Sequence, residues 1–155
     1  MFLFSCETKD VSVLTDMEKE TIKSEISPIM KQIIENSESG NFVKATEPYS
    51  DKPGFISISN GRVSDYTEFL EGNKQYFKAL SSQHFNESVM NYTFLNRQAV
   101  IVTWGGSAQV TMQDGQQTNV DPFAASLVFA KHDGMWKVVY NHESGIFTAI
   151  ATDSI

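Results

Sequence analysis

Apolar residues recur at three- and four-residue steps between Asp16 and Ser37, the spacing of one face of an α-helix. Pro28 interrupts this pattern, and because Ser-Pro is typical of a helix start, we expect a kink or a restart there. Gly40 ends the helix, and a short helical segment is expected from Asn41 to about Tyr49. The apolar face consists of Ile22, Ile26, Ile29, Met30, Ile33 and Ile34.

The next part of the chain predicts a hairpin and a further helix. Phe55 to Ser59 alternates apolar and polar residues as a short strand does, and Asn60-Gly61 favours a tight hairpin turn. Ser64 or Asp65 then caps a helix that extends to about Ser82. Its buried stripe contains Phe69, Leu70, Phe77 and Leu80.

The remaining chain is rich in Val, Thr and aromatic residues, which favour strands. Asp114-Gly115 and Asp133-Gly134 predict hairpins, so consecutive strands should pair antiparallel. Gly105-Gly106 lies inside a strand and predicts a bulge that curls the sheet. Helices followed by a curved antiparallel sheet predict an α+β fold. The expected strands are Glu87 to Leu95, Gln98 to Met112, Thr118 to Lys131 and Met135 to Ser144.

Composition fits one globular domain and excludes some partners. The chain has 155 residues, 41% of them hydrophobic, which is enough to build a core without disulfides or metal. Its formal net charge of -7 argues against nucleic acid as a partner, because a phosphate backbone requires a basic face. No phosphate-binding loop, zinc spacing or calcium loop occurs, so we expect no cofactor and no metal.

The N-terminus contains the single cysteine, Cys6, after the apolar run Met1 to Ser5. This resembles the end of a bacterial lipoprotein signal, in which the acylated cysteine becomes the first mature residue, although the basic and long apolar regions are missing. We therefore expect either a start further upstream, with Cys6 lipidated in the cell envelope or periplasm, or a cytoplasmic protein with an apolar end. The expected organisation is a signal remnant or tether at 1–15, a domain at 16–148 and a tail at 149–155.

The end of the chain carries a family pattern. Lys131, Asp133-Gly134, Trp136, His142 and Ser144 stand at the spacing with which members of the SnoaL-like branch of the nuclear transport factor 2-like superfamily commonly close. With the order of the helices and hairpins, the chain resembles that branch from about Met17 to Ser144. The resemblance implies a cone: a strongly curved antiparallel sheet wraps the helices around a pocket. It also implies a homodimer through the outer face of the sheet.

The resemblance suggests ketosteroid isomerase as a mechanistic template, in which one carboxylate moves a proton and a second acid helps to stabilise the oxyanion. By that comparison the base would lie on the strand Phe55 to Ser59, where only Ser57 and Ser59 are suitably placed, and the second acid at Ala125. Both carboxylates are missing, so this mechanism is not expected. Asp51 and Asp121 keep a displaced variant open.

His142 is the strongest single candidate for acid–base catalysis, with Asp121 or Asp51 as its acidic partner, because imidazole titrates near neutral pH. Strand alternation places His142 on one side with Trp136, Val138, Tyr140 and Ser144. The alternative is a structural histidine that bonds to Ser144 or to a backbone carbonyl. Glu143 should face the opposite way, into solvent or a dimer contact.

A pocket for a flat, mostly apolar molecule would be lined by Tyr49, Phe55, Tyr66 and Trp104, with polar groups from Asp121, Ser126 and His142. Each aromatic residue can equally belong to an ordinary core, and Asp121-Pro122 can equally form a bulge. We expect a binding domain for a small apolar or aromatic molecule. The alternatives are a cofactor-independent isomerase, dehydratase or cyclase that uses His142, and a dimeric assembly or adaptor module.

Overall fold

A computed structural model of the protein describes residues 13–150, which form three helices and six strands. The expectation of an α+β fold, with helices packed against a curved sheet, is confirmed. The six strands form one sheet in the order β2-β1-β6-β5-β4-β3. The elements are α1 (Asp16–Glu38), α2 (Phe42–Thr46), β1 (Ile56–Ser59), β2 (Arg62–Ser64), α3 (Tyr66–Ala79), β3 (Leu80–Asn96), β4 (Ala99–Met112), β5 (Gln117–His132) and β6 (Met135–Ala149).

Most of the sheet is the predicted antiparallel meander, but one strand pair differs. β3 to β6 pair with their chain neighbours in antiparallel register, and β1 and β2 form the predicted hairpin. β1, however, pairs with β6 in parallel, with Ser57 opposite Asn141 and Ser59 opposite Glu143. The expectation of a wholly antiparallel sheet is therefore wrong, because local turn patterns do not encode a pairing between strands so far apart in sequence.

Helix α1 begins at a capping box and continues through Pro28. The Thr15 hydroxyl accepts a hydrogen bond from the Glu18 amide at 3.2 Å, and the Glu18 carboxylate accepts one from the Thr15 amide at 2.8 Å. The predicted restart at Pro28 does not occur. Proline removes one backbone donor, and Ile26 and Met30 on either side of it are almost fully buried, so both halves are held by the core.

Helix α3 begins at the predicted cap, Asp65, and ends earlier than expected. Its last residue is Ala79, and β3 starts at Leu80 instead of Glu87. The first part of β3 is mostly polar and has no strong strand pattern, but it is held by register with β4, where Leu80 pairs with Met112 and Phe85 with Ala108. Tertiary pairing therefore decides this boundary.

Two bulges lie side by side and curl the sheet. β3 has an extra residue between Glu87 and Val89, opposite Gly105-Gly106, and β5 has a register shift between Val120 and Phe123. A Cβ atom on Gly106 would collide with the Asn86 carbonyl oxygen, so the close approach of the two strands requires glycine. The predicted irregularity at Gly105-Gly106 is confirmed, with the extra residue on the facing strand β3, and Asp121-Pro122 forms the bulge that was one of its two expected roles.

The core lies between α1 and the concave face of the sheet. Four residues of α1 are buried against three strands, and Phe129, Val100, Val102 and Val138 have no measurable exposure. The Glu25 carboxylate joins the helix to the sheet, because it accepts hydrogen bonds from Trp136 Nε1 at 2.6 Å and Lys131 Nζ at 2.7 Å. The helical residues of this core are Ile22, Ile26, Met30 and Ile33.

No helix between residues 13 and 150 is long and apolar enough to cross a membrane. The predicted lipidation residue Cys6 lies outside the described residues, as do most of the predicted tether and the last five residues of the predicted tail.

Candidate functional site

A cavity of about 510 Å³ lies between the curved sheet and the helices, beyond the Ile33 end of the core. Most of its wall is apolar, and one part carries polar side chains. Phe85, Trp104 and Phe123 form one aromatic cluster in this wall, with ring centroids 5.4–6.0 Å apart. Further apolar lining comes from Met30, Ile33, Phe69, Ala125 and Leu127.

The polar part of the wall comes from the parallel pairing of β1 with β6. Ser57 and Ser59 face the cavity from β1, and their register partners Asn141 and Glu143 face it from β6. Asn141 Nδ2 donates a hydrogen bond to Ser57 Oγ at 3.3 Å, and the Ser59 hydroxyl lowers the pKa of the Glu143 carboxyl group. These four side chains, Ser57, Ser59, Asn141 and Glu143, are called the polar wall below.

A β-bulge at Val139 decides which residues of β6 enter the cavity. Phe129 pairs with Val138 and Val128 with Tyr140, so Val139 is an extra residue in β6. Before the bulge Trp136 and Val138 point inward and are buried; after it, Asn141 and Glu143 point inward. The prediction that His142 shares a side with Trp136 and Val138 is therefore wrong, because regular alternation fails at an inserted residue.

Glu143 occupies an apolar setting for a carboxyl group. Burial raises its pKa, and the interactions with the Ser59 hydroxyl and with His142 oppose that rise only in part. Burial, and next the charge of Glu143, raise the pKa of Tyr76 to about 12 and raise that of Tyr49 as well. Both phenols therefore stay protonated at neutral pH and can donate hydrogen bonds.

A hydrogen-bonded chain fixes the cavity wall where α3 meets β3. The Tyr76 hydroxyl donates to Gln83 Oε1 at 2.7 Å, and Gln83 Nε2 donates to the Ser37 carbonyl at 2.6 Å. Gln83 is buried, so its amide would otherwise lose its hydrogen bonds to water. This side of the cavity is thus held in one arrangement.

Of the aromatic residues predicted to line a pocket, Tyr49 and Trp104 lie in the cavity wall. Phe55 and Tyr66 are not among the lining residues. Phe55 is buried behind Tyr49, with ring centroids 6.1 Å apart, and Tyr66 packs on Phe55 at 5.6 Å. These two residues support the wall and do not form it.

The predicted catalytic and polar pocket residues lie elsewhere. Ser126 and His142 are opposite each other on β5 and β6, on the face of the sheet turned away from the cavity, and His142 is exposed. Asp121 is exposed at the β5 bulge, and Asp51 is exposed in the loop before β1. None of the four lines the cavity.

Sequence reasoning did not predict that Glu143 and Asn141 line the cavity. It also did not predict that Tyr49 and Tyr76 lie close enough to Glu143 to be affected by its charge. Glu143 was expected in solvent or at a dimer contact and instead lines the cavity. It pairs in register with Ser59, one of the two positions considered for the base of the isomerase template, and with Ala125, the position of its second acid. Knowledge of the Val139 bulge was the missing signal.

The described residues contain no group of three or more His, Cys, Asp or Glu side chains able to hold a metal ion.

Comparison with models of known protein families identifies the family of this chain. Residues 26–149 match the model of the SnoaL-like domain. The chain belongs to this family. Among curated protein sequences, none matches this SnoaL-like protein.

Solved structures of the nuclear transport factor 2-like type are similar in fold. A candidate scytalone dehydratase from Novosphingobium aromaticivorans DSM 12444 is 8% identical, with a TM-score of 0.77 over 90% of this chain and 95% of that one. The hexachlorocyclohexane dehydrochlorinase LinA-type3 from Novosphingobium barchaimii LL02 is 11% identical, with a TM-score of 0.71 over 88% and 95%.

A nuclear transport factor 2-like protein of unknown function from Shewanella oneidensis MR-1 is 19% identical, with a TM-score of 0.62 over 79% of this chain and 98% of that one. At such identities the similarity establishes the shared fold of the SnoaL-like domain. Its activity has to be argued from the cavity.

Proposed function

We propose that this SnoaL-like domain binds a small, largely apolar or aromatic molecule in its cavity. The observation that carries the proposal is the cavity itself: its volume of about 510 Å³ falls in the usual range for small-molecule sites. Its wall combines aromatic rings with one group of polar side chains, the pattern that buries a ligand and fixes its orientation.

Binding can be tested by filling the cavity. Ala125 lines it, whereas Ala124 is the next residue of β5 and is exposed on the other face. Ala125→Leu should weaken binding of an uncharged bicyclic aromatic probe such as 2-naphthylethanol at least tenfold, roughly 1.4 kcal/mol. Ala124→Leu should leave its affinity, measured by calorimetry, unchanged. Equal affinities in both variants would place the binding site outside the cavity.

A second candidate function is proton transfer of the isomerase, dehydratase or cyclase type, with Glu143 in place of His142. It is favoured by the position of Glu143 in the cavity wall, close enough to Tyr49 for its charge to add to burial in raising the pKa of that phenol, which stays protonated and can donate a hydrogen bond to an oxyanion. In this mechanism the carboxylate removes a proton from carbon next to a carbonyl group, and the Tyr49 hydroxyl donates a hydrogen bond to the enolate oxygen.

Proton transfer can be tested by hydrogen–deuterium exchange of enolisable cyclic ketones such as 2-tetralone, followed by NMR in D2O. Glu143→Gln should abolish protein-dependent exchange, and His142→Ala, on the other face, should retain it. Exchange that survives Glu143→Gln would exclude Glu143 as the base. Binding without exchange in the unaltered protein would favour a binding domain.

We also propose a homodimer through the outer face of the sheet. Ile101, Val128, Tyr140 and Ile56 are register partners in turn across β4, β5, β6 and β1, and they form a half-exposed or exposed apolar row on that face. Sedimentation equilibrium should give twice the chain mass of 17.4 kDa, and Val128→Lys should give the monomer mass. A monomer at micromolar concentration would contradict the proposal, and would count equally against an assembly module that uses this face.

A further inference from the structure

The charged side chains that line the cavity are unevenly placed. Arg62 and Glu68 are exposed and also line a shallow depression between β2 and α3, so they lie at the cavity mouth. Glu143 lies within the polar wall, next to Asn141 and Ser59. The inner part of the cavity therefore contains one acid and, among its lining residues, no base.

Glu143 has no ion-pair partner among residues 13–150. Its closest interactions are the Ser59 hydroxyl, two phenols and the charge of His142, which projects from the opposite face of β6. An ionised carboxylate in an apolar setting is costly unless a cation compensates it. A ligand that carries a cation would supply the compensation that the protein does not.

The remaining wall suits a cation of a particular kind. Tyr49 and Tyr76 are close enough to feel the charge of Glu143, and Trp104 lies in the same layer, since it pairs with Ala125, which pairs with Glu143. Aromatic rings stabilise an ammonium group and also bury apolar surface. A carboxylate ligand would meet Glu143 and the overall charge of -7.

We propose that the cavity selects an apolar molecule that bears one protonated amine, and that its ammonium group lies against Glu143. This deepens the proposed binding function and rests on it. The ammonium group donates to the Glu143 carboxylate, while the aromatic or aliphatic body of the ligand packs on the aromatic cluster of Phe85, Trp104 and Phe123.

The selectivity depends on pH. The groups that face Glu143 are Ser59 from β1, Tyr49 from the segment after α2 and Tyr76 from α3, with His142 adjacent in β6 and with Arg62 and Glu68 at the mouth. Burial raises the pKa of Glu143, and a bound cation lowers it again. Binding at or below the pKa of Glu143 therefore releases a proton, and amine affinity rises as pH increases through that pKa.

Three probes with the same ring system test the proposal by titration calorimetry at pH 7.5: 2-naphthylethylamine, 2-naphthylethanol and 3-(2-naphthyl)propanoate. The amine should bind about tenfold more tightly than the alcohol, and the carboxylate most weakly. Titrations at pH 4.5, below the raised pKa of Glu143, in two buffers of different ionisation enthalpy should show proton release for the amine and none for the alcohol.

Glu143→Gln should remove the preference for the amine while the alcohol still binds. Glu20→Gln is the matched control, because it removes an exposed carboxylate of α1 that does not line the cavity; it should keep the preference. If a variant fails to fold, the comparison of the three probes on the unaltered protein still tests whether the cavity selects an amine.

The two proposals fail in different ways. An alcohol that binds as tightly as the amine to the unaltered protein would overturn amine selection and leave the binding function intact. If none of the three probes binds at a concentration of about 1 mM, any affinity is weaker than millimolar. The binding function is then overturned, and amine selection with it.

Discussion

Glu143 and Ser59 lie opposite each other in the parallel pairing of β6 with β1, and the Ser59 hydroxyl opposes the effect of burial on the pKa of the Glu143 carboxyl group. This pair joins the last strand of the chain to the first. It places an acid in a cavity that is otherwise mostly apolar. The protonation state of Glu143 therefore affects folding stability and, under the proposed binding function, the choice of ligand.

Glu143→Gln should make the protein more stable at neutral and alkaline pH. Because burial raises the pKa of Glu143 above its ordinary value of 4.5, the native state binds more protons than the unfolded state between 4.5 and the raised pKa. The free energy of unfolding therefore falls as pH increases through that window, and this loss is absent below pH 4.5. Glutamine at this position does not titrate, so the variant does not lose stability in this way.

Urea denaturation at a series of pH values measures this effect. Relative to the unaltered protein, Glu143→Gln should gain stability as pH increases above about 4.5, the unfolded-state value. Glu20→Gln, at an exposed position of α1, is the control and should give a constant difference. A difference for Glu143→Gln that does not change with pH would show that its carboxyl titrates as in the unfolded chain.

Sequence patterns predict the order of helices and strands because each element carries its own information. The Asp65 cap, the Asn60-Gly61 and Asp133-Gly134 turns and the 3.6-residue periodicity of α1 are local, and the structure confirms all of them. The start of β3 and the parallel partner of β1 depend on contacts between distant segments. These were the parts of the fold that the sequence did not predict.

The site was harder to predict than the fold, because one inserted residue reverses which side chains face inward. Regular strand alternation counted from Trp136 predicts that the His142 side chain faces the cavity. Because Val139 is an extra residue, the Glu143 side chain faces it instead. Nothing in the residues around Val139 identifies the bulge. Tyr49 and Trp104 lie in the cavity wall, and their role in ligand binding stays a prediction.

Glu25→Ala should destabilise the protein by about 1 kcal/mol, a modest value for a charged hydrogen bond because the site is partly exposed to solvent. The substitution leaves the indole N–H of Trp136, a buried residue, without its acceptor and Lys131 without its partner. Urea denaturation followed by tryptophan fluorescence measures the change. Glu20→Ala, on the same helix, should have almost no effect, and equal losses in the two variants would contradict the role of Glu25.

Gly106→Ala should destabilise the fold by about 1–3 kcal/mol, the usual cost of overpacking. Its methyl group would collide with backbone of β3, which cannot move aside without breaking the β3–β4 pairing. Gly72→Ala is the matched control. It lies in α3 with open space around its Cβ position, so alanine should stabilise the helix by about 0.5–1 kcal/mol. Thermal denaturation should move the two midpoints in opposite directions, and a gain in Gly106→Ala would contradict the close approach at the bulge.

Glu18→Gln should reduce the loss of stability in acid. Hydrogen bonds from the Thr15 backbone, from Arg97 and from the Thr15 hydroxyl lower the pKa of Glu18 to about 2 from 4.5. For a lowered pKa the unfolded state binds more protons, so the stabilisation is fully present above pH 4.5 and is lost as pH decreases towards 2. Glutamine keeps the capping geometry but does not titrate. The free energy of unfolding, measured by urea denaturation from pH 7 down to pH 2, should therefore fall less steeply for Glu18→Gln than for the unaltered protein.

Glu20→Gln should follow the unaltered curve, and parallel curves for Glu18→Gln would show that the capping carboxylate is not coupled to folding.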